Sequence, residues 1–251
     1  MDAESYGRRV DWAQEELQQL LVRLFVRAAK AAGLDRATWM TQATGDGELA
    51  LVPLGRDEPR VADDYVRHLD AELDRLNRRR VDGDRVRLRV AIAEGAAYPG
   101  ANGYAGQGVV AVARLLNSTP LRRALAAAPQ ANLALALSDG VFQALVLGDH
   151  TSYVEGDFHR AQVVEKEYRA SAWVRVPGVD VHRLDLAGDD ADAAPGQAQQ
   201  GQGPTDEPVG RAAAGAPGPR PQRHEADVMN VFHGGVDARH ATFGFSGGSR
   251  G

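Results

Sequence analysis

Thr38-Trp39-Met40-Thr41-Gln42-Ala43-Thr44-Gly45-Asp46-Gly47-Glu48-Leu49-Ala50-Leu51-Val52-Pro53 decides the fold. Two short β-forming runs, 38–43 and 48–53, flank Gly45-Asp46-Gly47, whose glycines supply the unusual backbone angles of a hairpin tip. One acid, Asp46, stands at the apex. Upstream, Asp11 and Gln14 are spaced as a capping box, and Leu17, Leu20, Leu21, Leu24, Phe25 and Ala28 recur at helical spacing until Gly33. Downstream, Tyr65, Leu69, Leu73 and Leu76 predict a helix over 61–80, closed by Arg78, Arg79 and Arg80 at its negative end. Val86, Leu88, Val90 and Ile92 then alternate with Arg85, Arg87 and Arg89, as a half-buried strand does. Its basic face is expected in solvent or against a phosphate-rich ligand. A Gly-rich loop to Gly108, a short helix through Arg114, a strand over 133–137, a helix over 138–147 and a strand pair over 160–176 complete the pattern. This order predicts an α+β sandwich, a mainly antiparallel sheet with helices on one or both faces.

The chain has 251 residues, 43% apolar and 25% charged, enough for one ordinary domain and something smaller. A net charge of −5 argues against a life on nucleic-acid phosphates. With no cysteine, a disulfide framework, a thiolate zinc site and a cysteine nucleophile are excluded, and a reducing cytoplasm suits the chain. No run approaches the about 18 apolar residues of a membrane span, and Asp2, Glu4, Arg8 and Arg9 do not open a signal peptide. The histidines form no metal-ligand pair; His233 and His240 lie far toward the end of the chain. Over 187–224 Gly, Pro, Ala, Gln and Asp dominate, and such a stretch cannot bury enough apolar area to offset the entropy of ordering it. The predicted organisation is a folded domain over 1–182, a disordered linker over 187–224 and a short β-prone interaction motif over 225–251.

Within the folded part the residues resemble the class III nucleotide cyclases, the adenylate and guanylate cyclase catalytic domains. Asp2-Ala3-Glu4-Ser5-Tyr6 is similar to the family segment that ends the first strand with a metal-binding aspartate. Gln42 to Ala50 looks like the hairpin that brings the second one. Arg89 to Gly95, followed by Gly108 to Leu115, is similar to the strand and helix that carry the transition-state asparagine and arginine. The resemblance implies a ferredoxin-like sandwich, a homodimer with its site between two domains, and a nucleoside triphosphate as ligand. It assigns Asp2 and Asp46 to Mg2+ or Mn2+, Arg114 to the α-phosphate, Gln42 to the base and Lys166 to phosphate. Two divalent ions on two carboxylates suit attack of a ribose 3′-hydroxyl on the α-phosphorus, and a bidentate arginine suits the charge that develops there.

The departures are as specific. Val110 stands where the family has the asparagine, Gln42 replaces the base-reading lysine or glutamate, and the acidic residue of the Gly-rich loop falls near Gly103 or Tyr104. The strand that should carry Asp2 is almost missing ahead of it, so either residues precede Met1 or Asp2 is poorly held. The sequence therefore favours a degenerate cyclase-like signalling or nucleotide-sensing module over two rivals, a working divergent cyclase using Asp2, Asp46 and Arg114, and a non-enzymatic scaffold. Asp227 to Val236, then Ala241 to Phe245, read as two β segments around a Gly-rich turn, similar to amyloid-forming signalling motifs that stack on a partner's copy. This tail is expected to recruit a protein partner.

Overall fold

Val90 and Ile92 alternate with Ala91 and Ala93, and Leu133, Leu135 and Leu137 with Ala134 and Ala136; these two runs build the middle of the sheet. The structure, a computed structural model, describes residues 1–186 apart from 5, 54, 56, 82, 83 and 102, and the backbone of 227–232. Its elements are β1 (Asp2–Ala3), α1 (Asp11–Ala31), β2 (Met40–Ala43), β3 (Glu48–Pro53), α2 (Glu58–Arg60), a π-helical segment (Val61–Tyr65) and α3 (Val66–Asn77). There follow β4 (Leu88–Ala96), β5 (Tyr98–Gly100), β6 (Gly103–Ala105), α4 (Gln107–Asn117), α5 (Thr119–Ala127) and β7 (Leu133–Ser138). Last come α6 (Asp139–Val141), a second π-helical segment (Phe142–Val146), β8 (His159–Glu165), β9 (Tyr168–Arg175) and β10 (Asp227–Phe232).

The sheet runs β2-β3-β10-β4-β7-β9-β8, with β1 also on β4. Among the described residues only β4 and β7 pair parallel, so the fold is α+β with a mixed, mainly antiparallel sheet. A parallel pair is stable when both faces are covered, and here they are. The large residues of β4 and β7 join Leu21, Leu24 and Phe25 of α1 and Leu69 and Leu73 of α3. Their alanines meet Val112 and Leu115 of α4 and Leu121 and Leu125 of α5, and Val181 and Leu186 extend that second core. Small residues on this face let two helices lie close to the sheet. At Gly95, with φ +145°, a Cβ would stand 2.8 Å from the Gly108 Cα, so β4 and the start of α4 meet as backbone on backbone.

Four expectations are corrected. Asp11 does not cap α1: Val10 holds that position, no side chain caps the helix, and the Asp11 charge serves the helix dipole from the first turn. Arg85, Arg87 and Arg89 are not a solvent-facing row. Arg87 donates to the carbonyls of Leu125 and Ala128, at the negative end of α5, and to that of Ala131, and pairs with Glu4, while Arg85 donates to the carbonyls of Pro129 and Gln130 in the loop that follows. Helix α5 itself, absent from the sequence expectation, starts on Ser118-Thr119-Pro120 with the proline in its first turn. The strand carrying Asp2 is short yet firmly held, since Asp2 lies opposite Arg89 and also bridges Gly47. The expected linker over 187–224, and the second β cluster at Phe243 and Phe245, lie outside the described residues; 227–232 is a strand of the chain's own sheet. Among the described residues no helix is long and apolar enough to cross a membrane.

Candidate functional site

The β2–β3 hairpin forms as the glycines require: Gly45 has φ +85°, and Thr44 N–H donates to the Gly47 carbonyl at 3.0 Å. The start of β3, next to the hairpin tip, is fastened by charge. The Arg36 guanidinium donates to both Glu48 carboxylate oxygens, at 2.7 and 2.6 Å, and to the Tyr65 hydroxyl at 3.4 Å, while lying 5.1 Å over the Trp39 ring. The tip itself is fastened by backbone, since Ala3 N–H donates to the Asp46 carbonyl at 3.1 Å. Two acids far apart in sequence thus meet at one place.

That place is a cleft of about 540 Å³ lined by Asp2, Asp46, Arg89, Asn117 and Arg122 among others. Asp2 is 3% exposed and ion-paired with Arg89. Burial, and then the charge of Arg122, lower the Arg89 pKa to about 10. Arg122 is exposed and donates to the Asn117 carboxamide at 3.1 Å. Asp46 is half-buried, and its Oδ1 is buried without a hydrogen-bond partner. Burial raises the Asp46 pKa, opposed by its own backbone N–H and by the Met1 ammonium. That ammonium is itself buried, which lowers its pKa well below the ordinary value.

The orphaned Asp46 oxygen fits a cation, whereas Asp2 is already neutralised by Arg89. Among the described residues no cluster of three or more His, Cys, Asp or Glu side chains could hold a metal ion. The donor set therefore suits a divalent ion that arrives with phosphate oxygens, as Mg2+ usually binds through one or two carboxylates plus phosphates. Arg122, exposed beside the carboxylates, and Arg89 behind it are the cations to which an anionic group would turn.

The other expected residues lie elsewhere. Gln42, on β2, packs its carboxamide against the start of β6, where a Cβ on Gly103 would stand 2.5 Å from its Oε1; the position expected to read a base thus adjoins the place where the acidic residue of the Gly-rich loop was expected. Arg114 does not line the cleft. It leaves α4 toward the β8–β9 turn and pairs with Glu167 at 2.8 Å, with its Nε buried and unpartnered. Lys166 sits in that same turn at φ +55°, exposed. Hydrogen bonding from Arg114 depresses the Glu167 pKa. Val110 shares the α4 face of Arg114, one turn earlier, and is 38% exposed. Arg122 was missed in the sequence because its helix was. No protein-family model, curated protein or solved structure matches the chain.

Proposed function

We propose that residues 1–182 are a divergent, ferredoxin-like domain of the class III cyclase type that binds a nucleoside triphosphate with a divalent ion and senses it without cyclising it. The observation that carries this reading is the meeting of Asp2 and Asp46 in one cleft, with a buried Asp46 oxygen left free for a cation. The contact of Gln42 with Gly103 supports it from the side of the base. When bound, Mg2+ or Mn2+ would neutralise phosphate charge. Asp46 would hold the ion, Arg122 would take phosphate oxygens, and Arg89 would shift between Asp2 and phosphate. Turnover is disfavoured by Val110, which offers no hydrogen bond to a ribose, and by the commitment of Asp2 to Arg89 and of Arg114 to Glu167. Arg114 and Lys166 lie together away from the cleft and take no part in the site of a single chain; the homodimer that the resemblance implies would be needed to bring them to the nucleotide.

The test is thermal unfolding of the full chain with each of the four triphosphates and Mn2+, followed by a search for cyclic product. One nucleotide at a hundredfold its Kd should add about 2.7 kcal/mol, a rise in Tm of roughly 5–11 °C at this chain length. No cyclic product is expected. Steady formation of one would replace this reading by that of a working cyclase, and an unchanged Tm with every nucleotide would remove the nucleotide altogether.

A further inference from the structure

Strand β10 enters the sheet between β3 and β4 and pairs antiparallel with both, Met229 opposite Val52 on one side and opposite Glu94 on the other. It shares this slot with β1. On β4, Phe232 stands opposite Ala91 and Asp2 opposite Arg89, so Met1 alone spans the interval at Val90. On β3, Val231 stands opposite Ala50 and Asp2 bridges Gly47, so Phe232 and Met1 fall at Leu49 and Glu48. Both neighbours give the same register. Residues 227–232 followed by 1–3 therefore make one continuous strand from two pieces that are not joined covalently at that point.

We propose that the slot between β3 and β4 is a strand-acceptor site, that residues 227–232 are its ligand, and that a second copy of this chain supplies the same segment in exchange. An empty slot would leave two unpaired strand edges in the middle of the sheet, along Leu49–Val52 and Val90–Ala93, where backbone groups must be satisfied. Some strand has to lie there. The bonds it makes are main-chain bonds, the basis of strand addition, and they are identical whether the segment comes from the same chain or from another. The choice is then one of concentration. A random coil as long as the stretch between Leu186 and Asp227 would have an end-to-end distance of about 35 Å, which would set the local concentration of the chain's own segment on the order of 1 mM. Two copies at that concentration exchange strands without losing a contact.

The full chain has no cysteine, so introduced thiols are the only ones. One preparation carries Met229→Cys and another Glu94→Cys, at positions directly opposite in the ladder. Mixed near about 1 mM in a glutathione buffer, a concentration matched to that local one, they should accumulate a disulfide-linked heterodimer. Adding Asn230→Pro to the first chain removes a donor inside a ladder paired on both sides and should cut the heterodimer about tenfold or more. Failure to form heterodimer overturns the proposal in either of two ways. If the double variant Met229→Cys/Glu94→Cys still closes an intrachain disulfide, the strand is held in its own chain only. If it does not, residues 227–232 are not the ligand of the slot. A heterodimer yield indifferent to Asn230→Pro overturns it as well, because the disulfide is then collisional.

Discussion

Glu48→Gln removes the charge that Arg36 was buried to meet. The Arg36 and Glu48 side chains are 15% and 11% exposed, and the pair is bidentate at 2.6 and 2.7 Å. Losing one partner of a buried pair costs about 3–5 kcal/mol, since the other charge stays desolvated and unpaired. Tyr65 and the Trp39 ring still face the guanidinium, which places Glu48→Gln near the lower end, about 3 kcal/mol, or a fall in Tm of roughly 6–12 °C. Arg36→Met should cost a similar amount. The double variant should cost at least about 2 kcal/mol less than the sum, because neither charge is then stranded. Urea unfolding of the four proteins gives the cycle. Single costs below about 1 kcal/mol, as for an exposed ion pair, or strictly additive ones, would refute the view that this pair fastens the hairpin carrying Asp46.

Burial pushes the Asp63 pKa up, but the Ser152 N–H and the Arg67 guanidinium, each 2.6 Å away, outweigh it and hold the value below the usual carboxylate range. With the folded value below an unfolded value of about 3.9, the stabilisation is full above that pH and is lost as pH falls through the folded value. Asp63→Asn should therefore cost about 2 kcal/mol at pH 6 and progressively less as pH falls below about 3.9; a cost that does not shrink with acidification would contradict the charge argument. Gly95→Ala should destabilise by about 2–3 kcal/mol through its clash with Gly108 and its φ of +145°. Gly45→Ala, with open space around it, should cost only about 1 kcal/mol, the penalty of an L-residue at positive φ, and calorimetry that ranks the two the other way refutes the close approach. Val110→Asn, on an exposed face, should leave stability within about 0.5 kcal/mol and raise any trace of cyclic product about fivefold or more; an unchanged zero means that Val110 is not the missing part.

Where residue type alone sets local geometry, the sequence was sufficient. The Gly45-Asp46-Gly47 tip, the α1 and α3 periodicities and the alternation over β4 all appear in the structure close to where they were expected. The parallel pairing of β4 with β7 is decided by burial on both faces, and Leu133 to Leu137 alone does not reveal its partner. The arginine row was misread because alternation distinguishes two faces without telling which one meets a helix end; the carbonyls of Leu125 and Ala128 that take Arg87 close α5, a helix missing from the sequence expectation. The carboxylates were legible as residues, and the hairpin tip made Asp46 prominent. That Arg89 would neutralise Asp2 depends on a cross-strand contact between residues 87 positions apart, which no local pattern encodes. The seating of 227–232 between β3 and β4 was illegible for the same reason, although its β-forming composition was plain.

Electron paramagnetic resonance of Mn2+ tests the central claim most directly, because free aquo-Mn2+ gives a signal that binding removes. With the full chain alone the free signal should hardly change, since Asp46 is only one available carboxylate. With the chain and a triphosphate together it should fall beyond the loss caused by the triphosphate itself, and Asp46→Asn should abolish that extra loss. No extra loss in the parent protein, or the same loss in Asp46→Asn, would contradict the assignment of the cleft to a metal-bearing nucleotide.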